Sequence, residues 1–142
     1  MIRLLEEKDI DAVMDIWLKT NIEAHNFIPE KYWIGNFHAV KGDFLPKSEN
    51  YVFVDENVTK AFISIIEGYF IGALFVSKEY QKQGIGKELI EYCKNLYDRL
   101  DVAVYVENKK AVKFYEDCGF TIKKQQTNSA SGYSEHIMSW TR

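Results

Sequence analysis

The segment from Val76 to Lys87 concentrates residues suited to binding chemistry: Val76-Ser77-Lys78-Glu79-Tyr80-Gln81-Lys82-Gln83-Gly84-Ile85-Gly86-Lys87. It leaves an apolar run and enters the strongest helical stripe of the chain. Glycines at i and i+2 permit a tight turn and expose consecutive N–H groups. A helix start adds its own unpaired donors and the positive end of its dipole. Together they make a site for an anion, typically phosphate, with Lys82 and Lys87 at its rim. The same glycines also suit a turn that merely tightens the docking of a helix. Two common phosphate loops are excluded by residue type. The pattern GxxxxGK[ST] fails at Gln81, where its first glycine belongs, and at Glu88, where its hydroxyl belongs. The pattern GxGxxG fails at Leu89. Cys93 and Cys118 have no CxxC spacing and cannot form a metal site alone, so no metal is expected. Both fall at apolar helical positions, which argues against a covalent nucleophile.

Gln81-x-x-Gly84-x-Gly86 resembles the [QR]-x-x-G-x-[GA] signature of the GNAT family of N-acetyltransferases. Asn108-x-x-Ala111-x-x-Phe114-Tyr115-x-x-x-Gly119-Phe120 resembles a second segment of that family at every position, and one helix plus one strand separate the two, as in the family. The likeness is detailed from Tyr69 to Phe120 and extends to the element order of the whole chain. It implies the GNAT fold: α/β, with a mixed, mostly antiparallel central sheet of about seven strands and helices on both faces. It also implies acetyl-coenzyme A as cofactor. The pyrophosphate would lie on the backbone amides of Gln83, Gly84, Ile85, Gly86, Lys87 and Glu88, with Gln81 and Lys82 also among the cofactor-binding residues. The pantetheine arm would pair with the exposed strand edge at Leu74, Phe75 and Val76. Gly84 and Gly86 would act through their missing side chains, with Gly86 expected at positive φ.

By the same resemblance, the reaction is transfer of acetyl to a primary amine of a small molecule or peptide by direct attack. Tyr115 stands at the family's general-acid position. A phenol with an ordinary pKa near 10 is a suitable proton donor for a departing thiolate. Spacing alone also fits a ring packed beside Phe114. Asn108 would hold the pantetheine, cap the following helix, or both. No general base stands out. Glu67 is the carboxylate nearest the middle strands, although it abuts Gly68 and reads as a turn residue. His25 lies in a region that commonly walls the acceptor site in the family, and with Phe27, Tyr32 and Trp33 forms the candidate substrate wall. His25 and His136 are alternatives to Glu67 as the base, while His38, beside Phe37, reads as solvent-facing. The segment Trp17 to Trp33 resembles a small bacterial branch of the family and leaves the acceptor unassigned. The missing base also motivates a reading from another class, a coenzyme A-binding sensor or partner-binding module without turnover.

These residues need a scaffold, and the hydrophobic pattern supplies one. Ile2 to Leu5 reads as a first strand, with Asp9 as the cap of a helix whose stripe is Ile10, Val13, Met14, Trp17 and Leu18. Pro29 suits the first turn of a second short helix, and Lys41 to Asn50 reads as a loop. Tyr51–Val54, Val58–Ile66 and Tyr69–Val76 form an antiparallel meander. Ile85, Leu89, Ile90, Cys93, Leu96, Tyr97 and Leu100 mark the strongest helix. Val102–Val106 is a strand apolar on both faces. A helix closed by Gly119 and strands at Phe120–Lys124 and His136–Trp140 complete the order, with Gln125–Ser134 as a polar loop. The 142 residues are 46% hydrophobic with two prolines and no repeat, so one domain spanning 1–142 is expected. A net charge of -3 argues against nucleic acid as a partner. No run of about 18 apolar residues occurs, so no membrane partner is expected. Acidic charge at Glu6 and Glu7 disfavours a signal peptide, making the cytoplasm the expected location. Monomer and homodimer both remain open.

Overall fold

In the computed structural model, which describes residues 1–142, seven strands form one sheet in the order β1-β2-β3-β4-β5-β7-β6. They are β1 (Ile2–Leu4), β2 (Glu49–Asp55), β3 (Val58–Ile66), β4 (Phe70–Val76), β5 (Arg99–Tyr105), β6 (Thr121–Thr127) and β7 (Ser134–Thr141). Only the β4–β5 pair is parallel, so the sheet is mixed and mostly antiparallel, as expected. The β2–β3 hairpin turns on Glu56 and Asn57, both at positive φ. Glu67 and Gly68 do the same between β3 and β4.

Helices cover both faces. On β3, the neighbours Phe62 and Ile63 point to opposite sides and fall in different cores. Phe62 packs with Val13, Met14 and Trp17 of α1 (Ile10–Ala24) and Trp33 of α2 (Glu30–Ala39). Ile63 packs with Leu89 and Ile90 of α4 (Ile85–Leu96) and Tyr115 of α5 (Lys109–Asp117). No helix is long and apolar enough to cross a membrane.

Four local expectations are corrected. Residues Val40–Phe44 form a π-helical turn that runs into α3 (Leu45–Lys47) rather than a loop. Leu45, 3% exposed, anchors this turn in the α1/α2 core, and Pro46 is tolerated in the first helical turn, where its missing N–H costs nothing. Helix α4 ends at Leu96, and Leu100 reaches the same core from β5. Asp9 does not cap α1 with its side chain. Its carboxylate accepts from Arg3 at 2.7 and 3.0 Å and from the Glu6 N–H at 2.8 Å. Strand β6 continues through polar residues to Thr127, because pairing with β7 satisfies its backbone whatever its side chains.

The feature that shapes the site is a bulge in β4. Ser64 pairs with Ala73 and Ile65 with Ile71, so Gly72 is skipped. A bulge bends its strand and inverts the alternation of side chains. Ile71 therefore joins the α4/α5 core and Ala73 the α1/α2 core. A Cβ at Gly72 would lie 2.6 Å from Phe44 Cζ, so a side chain there would force that ring or the strand to move. Beyond the bend β4 leaves β5, and the two strands pair only through Phe70–Asp101 and Ile71–Val102.

Candidate active site

A cleft of about 1310 Å³ opens where β4 and β5 diverge. Ile85, Phe114 and Tyr115 line it from the α4/α5 side, and Trp17, His25 and Trp33 from the α1/α2 side. The sheet is thus pierced, and groups on its two faces share one space.

At one mouth lies the Gly-rich turn. A single helical turn, Lys78–Tyr80, leads into it, and the Gln81 side-chain amide donates to Val76 O at 2.9 Å, tying the turn to the end of β4. Lys82 and Gly84 take positive φ, and Gly84 is the N-cap of α4. The first amide to reach a helical carbonyl is that of Glu88, on Gly84 O at 3.0 Å. The amides from Lys82 to Lys87 precede it and find no backbone acceptor, the arrangement that binds phosphate. Nothing lies within 4 Å of where a Gly84 Cβ would be. Gly86 differs from expectation. It is the second residue of α4 and is not at positive φ. A Cβ there would meet the Phe114 ring at 3.2 Å and Val76 Cγ2 at 3.7 Å. Its missing side chain lets α4 pack closely against α5 and β4. Gln81, Lys82, Gly84, Ile85, Gly86 and Lys87 line the cleft, whereas Gln83 and Glu88 stand outside its lining. Leu74, Phe75 and Val76 line it on the edge of β4 that β5 has left.

Tyr115 is 6% exposed and packs edge-on against Phe114 and Phe120 at 5.1 and 5.3 Å. The hydroxyls of Tyr51, Tyr97 and Tyr105 engage protein partners, but that of Tyr115 engages none. Burial, with a smaller contribution from Cys118, raises its pKa above the ordinary phenol value, so the group is a neutral donor at neutral pH. Burial also pushes the Cys93 thiol up to about 12 and raises that of Cys118. Neither is a poised thiolate. No cluster of His, Cys, Asp and Glu that could hold a metal ion is present.

His25 and Asn108 meet across the cleft. Asn21 Nδ2 donates to Trp17 O at 2.9 Å, which leaves Asn21 Oδ1 to accept from His25 Nδ1 at 3.1 Å. The Ala111 N–H donates to Asn108 Oδ1 at 3.2 Å, so Asn108 Nδ2 faces His25 Nε2 as a donor at 3.1 Å. This directional chain requires a neutral imidazole protonated at Nδ1. Burial agrees, pushing the His25 pKa down to about 4 against an opposing hydrogen bond from Asn21. The ring stacks on Trp33 at 5.4 Å. Asn108 is therefore the cap of α5, and its amide ties that helix to the end of α1.

The remaining candidates lie further out. Tyr32 packs edge-on against Trp33 at 4.9 Å and Phe27 against His25 at 5.8 Å; both stand behind the cleft lining. Glu67 is exposed in the β3–β4 turn, outside the lining; the structure does not bring it to Tyr115. Tyr105 and Glu135, by contrast, line the cleft and were not anticipated. Glu135 lies one residue before the strand read at His136, and a start one residue earlier would have included it.

Comparison with known proteins gives a consistent result. The family described as "Acetyltransferase (GNAT) domain" matches residues 23–142. The peptidyl-lysine N-acetyltransferase YiaC of Escherichia coli is 31% identical over 140 residues, covering 99% of this chain and 96% of that protein. The peptidyl-lysine N-acetyltransferase YjaB of Salmonella typhimurium is 28% identical over 121 residues, covering 85% and 83%. Among solved structures, apo YjaB from E. coli superposes with a TM-score of 0.86 at 22% identity, covering 99% of this chain and 96% of that one. PaiA N-acetyltransferase from Thermoplasma acidophilum, solved with coenzyme A, superposes with a TM-score of 0.85 at 17% identity, covering 100% and 98%.

Proposed function

The chain belongs to the GNAT acetyltransferase family, and from that premise we propose that it moves the acetyl group of acetyl-coenzyme A onto the ε-amine of a lysine in a protein or peptide. Attack is direct, and Tyr115 is the general acid. One observation carries this reading: the cleft pierces the sheet, with the free phenol of Tyr115 on the α4/α5 side and Trp17, His25 and Trp33 lining it on the other. The names of the relatives above support lysine as the acceptor class.

The residues present fit the cofactor. The unpaired amides from Lys82 to Lys87 suit its phosphates, and the β4 edge at Leu74–Val76 suits the amide groups of its arm. When bound, it supplies an activated acyl thioester. Tyr115 holds its proton at Oη and offers it inside the cleft as a proton or a hydrogen bond to a leaving thiolate. Phe114 and Phe120, packed edge-on against the Tyr115 ring, fix the direction in which that hydroxyl is offered. Asn108, held by His25, sets the first turn of the helix that carries Tyr115.

The test is incubation with acetyl-coenzyme A and a panel of lysine peptides and small amines. Free thiol should appear in step with acetyl-lysine, read by mass spectrometry. Tight coenzyme A binding in calorimetry, with no transfer to any acceptor, would instead favour a binding module. A labelled acetyl group retained on Cys93 or Cys118 would overturn direct attack.

A further inference from the structure

Three carboxylates are buried in this protein: Asp9, Asp101 and Glu135. Asp9 is paired with Arg3 and Asp101 with Arg99. Glu135, 6% exposed, has no cationic partner. Its two contacts are neutral amides: Gln126 Nε2 donates to Oε2 at 2.8 Å, and Asn128 Nδ2 to Oε1 at 3.0 Å. Each carboxylate oxygen keeps acceptor capacity beyond these bonds. Removing a carboxylate from water without a counter-charge is costly, and here it lines a cleft open to a ligand.

Its position is specific. Glu135 pairs in register with Tyr105 on β5 and Gln126 on β6, and directly paired residues share a face of the sheet. Tyr105 packs on the α1/α2 core, so Glu135 lies on that face, opposite the core that holds Tyr115. His25, Trp33 and Tyr105 line the same cleft. Tyr105 meets the His25 ring edge-on at 5.1 Å and donates its hydroxyl to Ser131 Oγ at 2.9 Å. Aromatic faces beside an unpaired carboxylate match an alkylammonium, with its stem on the rings and its charge on the oxygens.

We propose that Glu135 is the residue that selects a cationic acceptor, pairing with the ammonium of the incoming lysine side chain on the α1/α2 side of the cleft. The assignment rests on the lysine-acetylation reading above and adds the residue that recognises the charge. Lysine is preferred over an uncharged side chain with the same four-carbon stem because only its ammonium completes the buried pair.

The experiment compares two peptides that differ in one residue, lysine or norleucine, as competitors for the coenzyme A-loaded protein. The wild type should prefer the lysine peptide by about 10-fold or more, the scale of a charged hydrogen bond. Glu135→Gln should bring that ratio to within about threefold while coenzyme A affinity stays within about twofold, and Glu135→Asp should retain the preference. Gln126 and Asn128 border solvent and can turn their amides to water, so both variants should melt cooperatively. If Glu135→Gln does not fold, Glu135→Met, of similar volume, serves for the same ratio. A structural role alone would weaken both peptides together and leave the ratio intact, which overturns the proposal. If the wild type acetylates lysine peptides and the ratio survives substitution, only the Glu135 assignment falls. If the wild type neither prefers nor acetylates lysine peptides, the lysine reading falls with it.

Discussion

Tyr115 combines two properties that normally exclude each other, a ring packed in the core and a hydroxyl without a protein partner. Substitution by phenylalanine separates them. Tyr115→Phe keeps the contacts with Phe114 and Phe120 and removes only the proton. With general-acid chemistry, kcat should fall about 10²-fold or more, while the KM for acetyl-coenzyme A changes little. Thermal stability should hold, since no buried partner is left unpaired. Steady-state kinetics at saturating acceptor check this, and a kcat within about threefold of wild type, with chemistry rate-limiting, would transfer the acid role to water. At this scale the motif placed Tyr115 and Asn108 in the site. Glu67 lies near the middle strands along the chain, but the β3–β4 turn leaves it exposed to solvent. Glu135 is remote in sequence from every motif residue and reaches the cleft only through sheet pairing.

The element that creates the site is β4, and within it the bulge at Gly72. Its bend separates β4 from β5 after two paired positions, which opens both the cofactor edge and the passage between faces. Gly72→Ala tests this. The new Cβ would fall 2.6–2.7 Å from the Phe44 ring, so Phe44 or the strand must shift. A loss of about 1–3 kcal/mol is expected from such overpacking, measured by urea denaturation. Coenzyme A affinity, measured by calorimetry, should weaken as well, because the β4 edge changes its course. Unaltered affinity in the folded variant would detach the cleft geometry from the bulge. A glycine inside an apolar strand was the available sequence signal; what it accommodates, the Phe44 ring from a segment read as loop, was not available locally.

Across the whole molecule, the hydrogen-bond chain from Trp17 through Asn21, His25 and Asn108 to Ala111 joins the two halves of a split sheet. It makes stability depend on pH in a defined sense. Folded His25 has its pKa pushed down from 6.5 to about 4, first by burial, so the unfolded chain binds the proton in between. Stability from this group is full above about pH 6.5 and is lost as pH falls toward about 4, by about 3 kcal/mol at most. Asp9, whose carboxyl is held low first by its hydrogen bond to Arg3, loses its contribution only as pH falls from about 4 through its own lowered value. Thermal melts between pH 7 and pH 4 should show the decline, and His25→Gln should flatten it. An equal slope in wild type and variant would remove His25 as its source.

The element order, the mixed sheet, the donor turn before α4, the cap at Asn108 and the position of Tyr115 were legible in the chain itself. The individual elements, the donor turn and the cap depend on spacing within one element or turn (apolar period, glycine placement, capping chemistry), the mixed sheet follows from their order, and Tyr115 is marked by the resemblance of its motif to the family. The tertiary structure alone decided that His25 would meet Asn108, 83 residues away, that Gly86 would serve helix packing, and that Leu45 would anchor a helical turn. It also decided that Glu135 would stand buried in the cleft lining without a cation beside it. Those outcomes depend on which two strands part and how the helices dock over the gap, and no local spacing encodes contacts made between elements distant in sequence.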